Sequence, residues 1–112
     1  MVVGIPTEIT SNETRVAAIP TTVKELVKKG FIVNIQAGAG GGSFISDDKY
    51  IESGANIIPT ASELYKISDL VLKVNPPEMN EQEGKHEADL MKSGSVFISF
   101  IQTTKDIDQV KK

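Results

Sequence analysis

The chain has 112 residues, of which 39% are hydrophobic and 24% charged, with twelve Lys and Arg against fifteen Asp and Glu. This balance describes a globular chain and excludes a disordered or fibrous one. A net charge of -3 with only 5% aromatics argues against a nucleic-acid surface, which needs basic patches and stacking rings. Zero cysteines exclude disulfides, thiol chemistry and Cys-based zinc sites. The single histidine, His86, leaves little room for a His-rich metal site or a Ser-His-Asp triad, so no metal is expected. No stretch approaches the ~20 apolar residues of a membrane span, and the N-terminus lacks a signal-like basic and apolar pattern. The expectation is a soluble domain facing the cytosol or a similar compartment.

In chain order, short β-branched runs alternate with helical patterns, the signature of βαβ units on a parallel sheet. Strand one is Val2 to Ile5, stopped by Pro6. A polar loop leads to a helix from about Thr21 to before Gly30, with Val23, Leu26 and Val27 on one face and Thr22 and Glu25 at capping-box spacing. Strand two is Phe31 to Gln36, followed by a glycine-rich turn, Gly38 to Ser43. A short helix, about Asp47 to Ser53, is capped near Ser46 and ended by Gly54. Strand three is Asn56 to Ile58. Thr60 and Glu63 then open a helix that buries Ala61, Leu64 and Tyr65.

Strand four, Asp69 to Val74, ends in Asn75, Pro76 and Pro77, where two prolines forbid continuation. Glu78 to Lys85 is polar and only weakly helical, and regular helix begins at about His86 and runs to Lys92. Strand five is Val96 to Ile101. Thr104 resembles an N-cap, and Ile107 with Val110 begins an apolar face that stops at Lys112, so the segment reads as a domain cut short. The pattern predicts a flavodoxin-like, doubly wound parallel sheet of about five strands, in the order 2-1-3-4-5.

Ligands of such sheets lie beyond the carboxyl ends of the strands, where the strand order reverses. That rule selects Glu8, Glu13 and Arg15 in the loop after strand one, Lys73 and Asn75 at the end of strand four, and Ser99 to Thr103, Gln102 among them, at the end of strand five. Arg15 and Lys73 would suit a carboxylate ligand, the arginine as a bidentate fork and the lysine as a point charge. The plainer alternative has Arg15 bridging to Glu8 or Glu13 and Lys73 snorkelling from a buried strand. Other features read as structural. The glycine-rich turn has Ser43 where a dinucleotide fingerprint needs glycine, and it follows the wrong strand. Asp47 and Asp48 do not sit where a receiver domain keeps its acidic pair. His86 reads as a solvated surface residue, and the mixed charges from Glu78 to Lys92 as an exposed face.

The run from Gly4 to Pro20, Gly-Ile-Pro-Thr-Glu-Ile-Thr-Ser-Asn-Glu-Thr-Arg-Val-Ala-Ala-Ile-Pro, resembles the N-terminal domain shared by alanine dehydrogenase and the α subunit of NAD(P) transhydrogenase. The likeness continues through Thr22 to Leu26, Gln36 to Gly40, Gly54-Ala55, Asp69 to Val74 and Ser99 to Ile101, covering nearly the whole chain. Asn12 to Ala18, Leu72 to Pro76 and Ser99 to Ile101 resemble the transhydrogenase wording. Alanine dehydrogenases tend to carry a catalytic His at the end of strand five; here Gln102 stands there, and an amide cannot exchange protons near neutral pH. Gln102-Thr-Thr-Lys105 also departs from the aromatic and Pro-Ala-Gln-Asn common in transhydrogenases.

The resemblance implies that residues 1–112 are the first part of the N-terminal domain, with the Rossmann NAD domain outside this chain. It implies NAD and NADP as cofactors of the intact enzyme, neither held tightly by this segment. In alanine dehydrogenases the residues matching Arg15 and Lys73 hold the keto acid. The partners implied are the rest of its own subunit, membrane and NADP-binding components, and a second copy in a homodimer, at a membrane facing cytosol or matrix. The rival expectations are an alanine-dehydrogenase-like oxidoreductase and a non-catalytic α/β binding module.

Overall fold

A computed structural model describes residues 1–10, 13–80 and 83–100. In chain order it comprises β1 (Val2–Ile5), α1 (Pro20–Lys28), β2 (Ile32–Gln36), a 3₁₀ turn (Gly41–Ser43), α2 (Asp47–Glu52), β3 (Asn56–Ile58) and α3 (Ala61–Ile67). There follow β4 (Leu70–Lys73), β5 (Met79–Asn80), β6 (Lys85–His86), α4 (Glu87–Leu90) and β7 (Val96–Ser99). Five strands form one parallel sheet, as the alternating pattern predicts.

Its order is β3-β2-β1-β4-β7, which corrects the expected one. In the expected order strand three would lie at the centre. Yet β3 has three residues, an exposed Asn56 and a following proline, and such a strand suits an edge. β1 is almost wholly buried and takes the centre instead. The order therefore reverses between β1 and β4, whose registers pair Val3 with Leu70 and Gly4 with Val71.

Each sheet face carries its own apolar cluster. Val3, Ile5, Val33 and Ile35 pack with Val23 of α1 and Tyr50 of α2, whose hydroxyl donates to the Ala18 carbonyl at 2.7 Å. On the other face Val71 packs with Ala61, Leu64 and Tyr65 of α3, flanked by Leu90, Met91 and Phe97. α3 lies so close to β1 that a Cβ on Gly4 would stand 2.1 Å from the Ser68 hydroxyl. That approach needs glycine.

Local detail departs from the sequence reading in five places. α1 starts at Pro20 without a side-chain cap, because proline at the first helical position supplies a preset φ and loses no hydrogen bond there. Thr60 does cap α3, accepting from the Glu63 amide at 3.3 Å, whereas Ser46 precedes α2 without a side-chain cap bond. The stretch around Glu78 to Lys85 contains no helix among the described residues, because Met79–Asn80 and Lys85–His86 pair as an antiparallel ribbon. The helix expected from His86 to Lys92 is only Glu87–Leu90, and strand five is Val96–Ser99.

Candidate functional site

Where β1 and β4 part at their carboxyl ends, the backbone amides after β4 lose their strand partners and must find others. Glu8 supplies them. Pro6 stops β1 and the chain turns so that Glu8 reaches across to β4. Its Oε2 accepts from the Val74 amide at 2.8 Å, and its Oε1 from the Asn75 amide at 3.2 Å. Asn75 then links outward, its Nδ2 donating to Glu8 Oε1 at 3.3 Å and to Glu13 Oε1 at 2.7 Å.

Glu13 is in turn gripped by Arg15. The arginine Nε and Nη2 donate to its two oxygens at 2.8 Å each, and the Arg15 amide adds a third bond at 2.9 Å. The Arg15 side chain remains 61% exposed while that of Glu13 is 6% exposed. The arginine bonds, helped by Asn75, hold the Glu13 carboxyl down at about 2.

Lys73 ends β4 with no exposed surface. A buried ammonium is tolerated only when paired and hydrogen-bonded. Its Nζ donates to Glu87 Oε1 at 2.7 Å and Oε2 at 2.9 Å, while Glu8 Oε1 stands 3.6 Å away. Glu87, also fully buried, is completed from two further sides. Its Oε1 accepts from the Glu78 amide at 2.9 Å and its Oε2 from the Tyr65 hydroxyl at 3.0 Å. Burial, and then the Glu87 charge, push the Tyr65 phenol well above its ordinary range, so it serves as a donor.

The fold thus ties Glu8, Glu13, Arg15, Lys73 and Asn75 into one connected network at the switch point. The plainer reading of Arg15 holds in part, since it bridges to Glu13. Lys73 does not snorkel: its ammonium is sealed in. Three carboxylates face two cations, so the cluster is not the open cationic pair that the sequence suggested for a carboxylate ligand. Ser99 ends β7 opposite Lys73 in register. Gln102 and Thr103 lie outside the described residues.

Glu87 and Tyr65 are the members that sequence reasoning missed. Glu87 sits among mixed charges read as an exposed face, and Tyr65 was assigned only to the core. The available signal was Lys73 itself, because a lysine inside an apolar strand requires a buried acid. His86 is also not a free surface residue: it is half-buried, and its Nδ1 accepts from the Ala88 amide at 3.1 Å. The glycine-rich turn is a packing device. A Cβ at Gly40 would meet the Ile45 carbonyl at 2.7 Å, and one at Gly42 would meet Thr14 at 2.9 Å. Among the described residues no His, Cys, Asp and Glu group is placed to hold a metal ion, and no helix is long and apolar enough to cross a membrane.

The family described as alanine dehydrogenase/PNT, N-terminal domain, matches residues 4–112. An alanine dehydrogenase from Methanococcus maripaludis is 38% identical over 101 residues, covering 90% of this chain and 26% of the relative. An NAD(P) transhydrogenase subunit alpha from Haemophilus influenzae is 37% identical over 112 residues, covering all of this chain and 20% of the relative. Among solved structures, a transhydrogenase from Sinorhizobium meliloti superposes with a TM-score of 0.81 at 35% identity, over 98% of this chain and 31% of its own. The chain therefore spans about a fifth to a quarter of the length of these curated relatives.

Proposed function

We propose, from the premise that this chain belongs to the alanine dehydrogenase/PNT N-terminal domain family, that it is the N-terminal part of an NAD(P) transhydrogenase. The reaction is hydride transfer between NAD(H) and NADP(H), coupled to proton movement across a membrane. The observation that carries this choice between the two branches is Gln102, an amide where the alanine dehydrogenase branch keeps its proton-exchanging His. The fit to the Sinorhizobium transhydrogenase over 98% of the chain supports it.

In this reading the nicotinamides carry the redox chemistry and the protein supplies position and environment. The segment forms one wall of the nicotinamide cleft, with Arg15 and Asn75 on it, Lys73 buried in the network that positions them, and no residue of the chain as acid, base or nucleophile. The NAD-binding Rossmann domain, the NADP-binding and membrane components, and a second copy in a homodimer complete the enzyme. The 112 residues alone catalyse nothing and hold NADH very weakly. Calorimetric titration of the isolated chain with NADH is predicted to show no saturable binding. Tight, saturable binding would overturn that assignment of the cofactor site.

A second reading, an alanine-dehydrogenase-like oxidoreductase, draws on the Methanococcus relative, which is equally similar over the residues it shares. It requires alanine-dependent NAD reduction by the intact polypeptide, lost in Lys73→Ala. The transhydrogenase reading predicts no such reduction in either protein.

A further inference from the structure

Two exposed apolar side chains flank the carboxyl end of β1, one on the turn after β2 and one on the ribbon after β4. Phe44, at the end of the 3₁₀ turn, is 99% exposed and has a φ of 61°. A bulky residue rarely takes the left-handed region, and a phenyl ring in water gains nothing from burial. A residue held in so unfavourable a setting points to a use outside its own fold. Met79, in β5, is 57% exposed. Methionine adapts its shape to whatever it meets, which suits it to binding surfaces.

Both residues stand on segments fixed to the loop between them. Beside Phe44, the Ser43 hydroxyl donates to the Thr14 carbonyl at 2.6 Å, and the Phe44 amide donates to the Gly41 carbonyl at 3.1 Å. Beside Met79, the Thr10 hydroxyl donates to the Glu78 carboxylate. The Glu78 amide donates to Glu87 Oε1 at 2.9 Å, and its carbonyl accepts from the Glu87 amide at 2.7 Å. A surface set in advance loses little freedom when a partner docks.

β2 and β4 lie on either side of β1, two strand spacings or roughly 10 Å apart. An occupant that touches both residues must therefore bridge the loop after β1, which suits a protein face rather than a small ligand. The chain spans 20% of the Haemophilus alpha subunit and 31% of the solved transhydrogenase, so most of each of those proteins lies outside the part it matches.

We propose that Phe44 and Met79 are the anchors on which the NAD-binding domain of the same polypeptide seats over the carboxyl end of the sheet. The inference deepens the cleft-wall reading and rests on it for the identity of the occupant. The anchors lie outside the network of Glu8, Glu13, Arg15, Lys73 and Asn75, so the seat is separate from the polar centre it encloses.

Hydroxyl-radical footprinting of the native polypeptide, purified without other subunits, tests this, since the radical oxidises Met and Phe where it reaches them. Each residue is scaled to its own reactivity in the urea-unfolded polypeptide, and fully buried Tyr50 sets the protected level. Phe44 and Met79 are expected to fall to that level and to stay there on dilution. Phe44→Ser leaves the fold intact, because the ring is almost wholly exposed in this segment, and it is expected to raise Met79 reactivity severalfold by loosening the seat.

Phe44 and Met79 reacting near their unfolded rates overturns the proposal, as does Met79 staying protected in Phe44→Ser. Protection that fades on dilution assigns the surface to a second copy and overturns it too. A native polypeptide whose sequence holds no NAD-binding domain fails the cleft-wall reading before any footprint is taken. One that holds the domain and leaves both residues reactive fails this inference alone.

Discussion

Lys73 and Glu87 contribute to stability mainly by not being left alone. A buried pair gains little over well-packed apolar residues, but removing one member strands the other as an uncompensated charge. Lys73→Met should cost about 3–5 kcal/mol in urea denaturation. Tyr50→Phe, which orphans the Ala18 carbonyl in the other cluster, should cost nearer 1–3 kcal/mol. The outer pair responds to pH instead. The Glu13 carboxyl is lowered from 4.5 to about 2 in the folded chain, so its stabilisation is fully present above 4.5 and is lost as pH falls toward 2. Stability measured across that window should decline, and Glu13→Gln should flatten the decline. An unchanged slope in that variant would assign the acid sensitivity to other carboxylates.

At the scale of elements, the most exacting joint is α3 on β1. Gly4→Ala would drive its Cβ to 2.1 Å from the Ser68 hydroxyl, which already donates to the Leu64 carbonyl at 2.6 Å. The expected cost is about 1–3 kcal/mol, from strain rather than lost burial. Thr60→Ala, at the start of the same helix, should cost about 1 kcal/mol by freeing the Glu63 amide. If Gly4→Ala proves neutral by thermal denaturation, the close packing of α3 on β1 is wrong.

This scale also shows what was legible in the sequence. The five sheet strands and α1 to α3 were readable because β-branched runs, glycines and prolines punctuate them. The Thr60 cap was readable for the same local reason. The strand order was misread, since both doubly wound orders share one succession of elements. The shortness of Asn56–Ile58 and its exposed asparagine carried the missing information. The Glu78 to Lys85 ribbon was obscured because two-residue strands leave almost no periodicity to detect.

For the whole molecule, the corrected order moves the switch point from between strands one and three to between β1 and β4. That move brings the selected loop after β1 directly beside the end of β4, and it explains why Glu8, Asn75 and Lys73 share one network. The two cations were foreseeable because Lys73 ends β4 and Arg15 lies in the loop that follows β1. The Arg15 bridge to Glu13 was foreseeable too, but the partner of Lys73 was not, because Glu87 is 14 residues beyond it and buried by a fold that its polar neighbours conceal.

The sheet also leaves Val96, Ile98 and Phe100 largely exposed on the face that β4 shares with the first cluster. An apolar strip of this kind is commonly a contact surface in a larger protein.

The transhydrogenase assignment is the central claim, and isotope tracing tests it most directly. The native enzyme carrying this segment, with its NADP-binding and membrane components, would be given NADPH deuterated at the transferring position, together with NAD⁺. The account predicts that the deuterium appears in the NADH formed, with none washed into solvent. NADH that forms only when alanine is supplied, with the label left on NADPH, would contradict it.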